Sequence, residues 1–287
     1  MRGVRRLART PINAGFARGP INAGFARGRG WIGRPLRIWK RMAIHDFTSQ
    51  RLFVTADLSA GAAIACTPEQ ASYLRNVMRL SDGDAILIFN GRDGEWRARL
   101  AIPGKRGATL EATEQVRAQT GGPDLHYVFA PLKRSRLDYM VQKATEMGVS
   151  RLVPVLTRHT IAERINLERM RANVIEAAEQ CGVLRVPEVA EPVKLAHLLS
   201  GWETGRRLVF CDEEADLKSP LAALAAIPPG PLAVLIGPEG GFSPEEREMI
   251  RAKPDAIALS LGPRIMRADT AAVAALALVN AALGDWR

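Results

Sequence analysis

PLAVLIGPEGGFSPEE (231–246) carries an unbroken apolar run into a glycine turn and then into Ser243-Pro244-Glu245-Glu246. The run has the length and continuity of a strand buried on both faces, as in a parallel sheet. Ser three residues before Glu, with proline at the first helical position, is a capping box that starts a helix. A buried strand feeding a helix through glycines is the βα unit of an α/β domain. Glycines at that junction let backbone N–H and C=O groups approach a ligand. It is not a Walker loop, since no Lys-Ser/Thr follows the glycines, and it does not fit GxGxxG. Glu239 within it opposes a pyrophosphate and suits a ligand with a cationic centre.

Working outward, LSLGPRIMRADTA (259–271) repeats the design: a strand, a turn at Gly262-Pro263, and a helix beginning at Asp269 or Thr270 and running to Leu283. Two such loops in adjacent units make a crevice at the carboxyl edge of a sheet, where α/β proteins bind ligands. Upstream, HYVFAPL (126–132), RLVPVLT (151–157), RRLVFCDE (206–213) and AIALSLG (256–262) read as strands. Helices are expected over LDYMVQKATEMG (137–148) and about 167–181, where apolar residues recur at helical spacing.

Before the linker RAQTGGPD (117–124) the pattern changes. Short apolar runs at 51–54, 85–89, 95–102 and 109–116 are separated by Gly/Asp turns, with one helical stretch at 68–79. That spacing suggests a small β barrel. The expected division is an arm (1–45), a β-barrel domain (46–118) and an α/β domain (119–287).

The net charge of +10 resides in the arm, which holds eleven Lys or Arg and no acid. The rest has 29 basic against 30 acidic residues. The arm also carries PINAGFARG twice in tandem (11–19, 20–28), too little for a stacked core. Disorder is the expectation for it; a phosphate-gripping tail, a targeting peptide and a true start at Met42 stay open. Cys66, Cys181 and Cys211 and the four histidines show neither disulfide nor zinc spacing. Reduced thiols and a cytoplasmic location are expected, with no metal and no apolar run long enough for a membrane span.

The two C-terminal segments resemble the cofactor signature of the SPOUT methyltransferases, and more closely the 16S ribosomal RNA uracil-N3 methyltransferases. KATEMGVSRLVPVLT (143–157), AAEQC with VPEV (177–189) and RLFV…LRNVMRLSDGDAILIFNG (51–91) agree in order, so the resemblance covers about 50–287. Where that family usually has RILRxETA this chain has RIMRADTA; Tyr73 replaces a common His and Val183 a common Arg.

The resemblance implies a PUA-like barrel that holds RNA, an α/β domain with a C-terminal trefoil knot, and a homodimer acting on the small ribosomal subunit. It implies S-adenosylmethionine bound by Leu235, Ile236, Gly237, Pro238, Glu239, Gly240, Gly241, Leu259, Leu261, Gly262, Ile265, Met266 and Thr270. Arg267 is expected to stabilise the uracil anion, and Glu239 or Glu179 to take its proton. Phosphate contacts are expected from Arg51, Arg75 and Arg79 on the barrel and from Lys133, Arg134 and Arg136 after the first α/β strand. Two other readings are a non-catalytic RNA-binding or ribosome-assembly protein and a SPOUT enzyme acting on transfer RNA.

Overall fold

The computed structural model describes residues 49–104, 107–161, 164–216 and 219–286; the expectations for the arm lie outside them. Two sheets organise these residues. The first takes the path β1-β3-β4-β5-β2, from β1 (Arg51–Phe53), β2 (Ala63–Ala65), β3 (Ala85–Phe89), β4 (Glu95–Ala101) and β5 (Thr109–Arg117). Its two end strands share one core, in which Leu52 of β1 and Ile64 of β2 join Ile86, Ile88, Leu100 and Leu110. The sheet therefore rolls up around its own apolar face. The helix expected at 68–79 is shorter: α1 (Pro68–Ser72) runs into a π-helical turn over Tyr73–Val77. Arg79, with φ of 57°, then turns the chain out of it.

The second sheet is parallel, in the order β12-β10-β11-β6-β7-β8. Its strands are β6 (Leu125–Phe129), β7 (Arg151–Leu156), β8 (Glu188–Val189), β10 (Arg207–Cys211), β11 (Leu232–Ile236) and β12 (Ala256–Leu259), and β9 (Val193–Lys194) pairs with the end of β7. Every residue of β11 is buried, as a strand covered on both faces requires. One face packs on α2 (Arg134–Glu146), α3 (Leu167–Cys181), α5 (Pro220–Ala225) and α7 (Ala268–Ala282). The other packs on α4 (Leu195–Ser200) and α6 (Pro244–Arg251). Alternation along β11 sorts the layers: Val234 and Ile236 face the first group, Ala233 and Leu235 the second.

Strand register positions the site. Ile236 pairs with Phe129, Phe129 with Pro154, Leu235 with Phe210, and Cys211 with Leu259. The strands end nearly level, so the loops after β6, β7, β10, β11 and β12 emerge together at one carboxyl edge. All three cysteines are free. No helix among the described residues is long and apolar enough to cross a membrane, and no group of three or more His, Cys, Asp or Glu among them could hold a metal.

Candidate active site

The loop Gly237–Phe242 after β11 is held from several directions. Gly241 has φ of 69° and its N–H closes a turn onto Pro238 O at 2.9 Å. A Cβ at Gly241 would be strained by that positive φ and would stand 2.6 Å from Glu213 Oε1, displacing that carboxylate. Phe242 turns inward beneath Gly237 and is buried among Phe210, Leu235 and Ile250. From the β6 side, Arg136 makes an ion pair with Glu239. From the β7 side, His159 Nδ1 lies 3.0 Å from Gly241 O. The capping box of α6 is complete, with Ser243 and Glu246 bonded reciprocally. Glu246 has a second role, accepting the Arg158 N–H at 2.8 Å.

The loop after β10 brings three acids, Asp212, Glu213 and Glu214, around the largely buried Arg247. Arg251 adds a 2.7 Å bond to Asp212. Between this loop and the end of β12 opens a cavity of about 410 Å³, lined by Glu214, Ala215, Pro220, Ala258, Leu259 and Ser260. That is within the size range of small-molecule sites.

The loop after β12 is different. Leu261 and Met266 lean on the core, but Ile265 is 100% exposed. Gly262, at φ of 104°, has nothing within 4 Å of a Cβ. Arg267 is exposed at the N-cap of α7, its side chain making no cap bond, and Thr270 lies in the first turn. Leu235, Ile236 and Leu259 are buried in the core, and the carbonyls of Ile236 and Leu259 accept the N–H groups of Ala130 and Asp212.

Residues 120–280 match the RNA methyltransferase domain family, and residues 67–113 an RNA methyltransferase PUA domain. A ribosomal RNA small subunit methyltransferase E from Synechocystis is 32% identical over 238 residues, 81% of this chain and 78% of that one. The chain belongs to the ribosomal RNA small subunit methyltransferase E family. Two solved structures of lower identity carry S-adenosylmethionine. One is the Neisseria gonorrhoeae methyltransferase E (25% identity, TM-score 0.74, 83% of this chain and 100% of that one). The other is a Legionella pneumophila methyltransferase (27%, 0.72, 83% and 99%). The α/β SPOUT-type architecture with a PUA domain is thus that of the family.

Two expected site residues of this methyltransferase-family chain lie elsewhere. Arg51 is not free to meet phosphate: its guanidinium is buried, bonds Glu95 at 2.5 Å, and donates to the carbonyls of Ala178, Glu179 and Val183 at the end of α3. Arg117 completes the cluster with a 2.6 Å bond to Glu95. Glu179 stands beside it, accepting the Phe53 N–H at 2.8 Å. Burial pushes its carboxyl upward, partly opposed by that bond and by Arg51. It lines a separate cavity of about 640 Å³ with Phe53, Gln70 and Tyr73, to which no residue of the glycine loop contributes. Sequence separations of 44 and 128 between Arg51 and its partners hide this arrangement from any local pattern. Arg75 reaches Gly104 O at 3.4 Å, Arg79 is exposed on the barrel, and Lys133 and Arg134 are exposed where α2 begins.

Proposed function

We propose that the protein methylates N3 of a uracil in 16S ribosomal RNA, with S-adenosylmethionine as methyl donor and a homodimer as the working unit. The carrying observation is that a glycine loop held in place and a second loop that presents Arg267 leave the same sheet edge, on either side of β10. The residues fit the cofactor: the loop after β11 carries glycines at 237, 240 and 241 and is fixed by Phe242, the Gly241–Pro238 turn and His159, and a cavity of about 410 Å³ opens between the ends of β10 and β12. Gly237, Pro238, Glu239, Gly240 and Gly241 of the loop after β11 would hold it together with Leu261, Gly262, Ile265, Met266 and Thr270 of the loop after β12, with Leu235, Ile236 and Leu259 at the strand ends beneath. When bound, S-adenosylmethionine supplies a methyl group activated by its sulfonium charge.

Methyl transfer then depends mainly on alignment. Uracil N3 is a poor nucleophile until it loses its proton, so the chain must accommodate negative charge on the base. Arg267 does this at a carbonyl oxygen, since guanidinium stays protonated. Lys133 and Arg134, beside the glycine loop, and Arg75 and Arg79 on the barrel grip phosphates. Extrusion of the target base from its stack brings N3 to the crevice. The barrel domain, the α/β domain with its knotted threading, and a cytoplasmic site of action belong to the same reading.

The test is incubation with radiolabelled S-adenosylmethionine and small subunits from a strain lacking the modification, followed by nucleoside analysis. N3-methyluridine is expected, and its absence sinks the reading. Arg267→Ala is expected to bind cofactor normally while its methylation rate falls about 10²–10³-fold.

A further inference from the structure

The reaction proposed above needs an acceptor for the N3 proton, and the two carboxylates suggested by sequence are engaged: Glu179 with the Phe53 N–H, Glu239 with Arg136. A third group stands against the glycine loop. His159 follows β7 at the same sheet edge, with Nδ1 3.0 Å from Gly241 O. A carbonyl oxygen only accepts, so Nδ1 carries the proton in this bond. In the neutral ring the lone pair is then on Nε2, at the opposite side of the imidazole, and the residue is solvent-exposed.

The mount is well defined. Thr160 Oγ1 accepts the Thr157 N–H at 2.9 Å and Thr160 N donates to Thr157 O at 3.2 Å, closing the turn around His159. Arg158 N–H is fixed to Glu246 at the head of α6. A Cβ on Gly240 would come 3.4 Å from His159 Cβ, so the residue lies directly against the loop that holds the cofactor. The charged groups on the elements packed here are Arg158, the Arg136–Glu239 pair, Glu213 with Arg247, and Glu245 with Glu246.

We propose that His159 is the general base of the methyl transfer, an inference that rests on the reaction proposed above. Nε2 takes the proton from uracil N3 as the N3–methyl bond forms. The methyl–sulfur bond breaks with its electron pair left on sulfur. The imidazolium then releases the proton to water, and the products are N3-methyluracil, the demethylated thioether and one proton. Gly241 O orients the ring throughout, because Nδ1 donates to it in both protonation states.

His159→Asn tests this, since the Asn amide places an N–H donor near the Nδ1 position but offers nothing in place of Nε2. Ring-nitrogen NMR on the full chain without RNA is expected to show the Nδ1–H tautomer for neutral His159; the Nε2–H tautomer overturns the proposal. Calorimetry is expected to show wild-type affinity of His159→Asn for S-adenosylmethionine. Its kcat should fall about 10²-fold or more. The pH profile of wild-type kcat should carry an acidic limb that the variant lacks. A variant with wild-type kcat and an unchanged limb overturns the assignment. So does one that loses only cofactor affinity, which would make His159 a brace for the loop. Wild-type protein that makes no N3-methyluridine removes the reaction itself and this proposal with it; the tautomer is read independently of that outcome.

Discussion

The loops after β11 and β12 look alike in sequence, each a strand end, a Gly-Pro or Pro-Glu-Gly turn and a helix start, yet the structure treats them oppositely. The first is gripped by Arg136, His159 and its own inward-turned Phe242. The second leaves Ile265 and Arg267 in solvent and has open space around Gly262. One wall of the crevice is therefore built by this chain alone. The other has its apolar tip uncovered, as suits a wall completed by ligand, RNA or a second copy.

The largest effect expected is from Gly241→Val, which puts a β-branched residue into left-handed backbone. Strain of roughly 3 kcal/mol should move the loop and cut cofactor affinity by about thirtyfold or more, as calorimetry would read. Equal tolerance at Gly241 and Gly262 would erase the contrast between the loops. A control comes from the amino edge of the same sheet, where burial, reinforced by Arg206, lowers His126 to about 4. A base with a depressed folded pKa contributes stability that is lost as pH falls from about 6.5 toward that value. Denaturation of wild type against His126→Gln should resolve this as about 3 kcal/mol, without involving either loop. With the proposed homodimer formed through the second wall, Ile265→Asp should leave thermal unfolding of the monomer nearly unchanged and weaken self-association by about 2 kcal/mol in sedimentation. Smallest is Gly262→Ala, where strain alone should cost roughly 1 kcal/mol and cofactor affinity tenfold or less.

The parallel strands were legible because burial on both faces writes unbroken apolar runs such as LAVLI in β11. Elements of two or three residues, β2, β8 and β9, have no period to read, and the short helices α4 and α5 were also missed. The π-helical turn over Tyr73–Val77 is invisible to a pattern that reads 68–79 as one helical stretch. In the site, the glycine loop and the capping box were local and plain. The Asp212–Glu214 cluster around Arg247, and His159 on Gly241, join residues 33 to 82 positions apart, and no spacing rule connects them. Arg51 shows the reverse error: an arginine opening a strand reads as solvated until its buried partner Glu95 is in view.

That same arginine has a mechanical consequence. Its bonds to three carbonyls at the end of α3, with the Phe53 N–H held by Glu179, bolt the barrel's first strand to the methyltransferase domain. The two bodies then behave as the jaws of a locked caliper. In the proposed reaction, the span between an RNA grip on the barrel and the methyl-transfer crevice would then be set by this joint and not by the RNA.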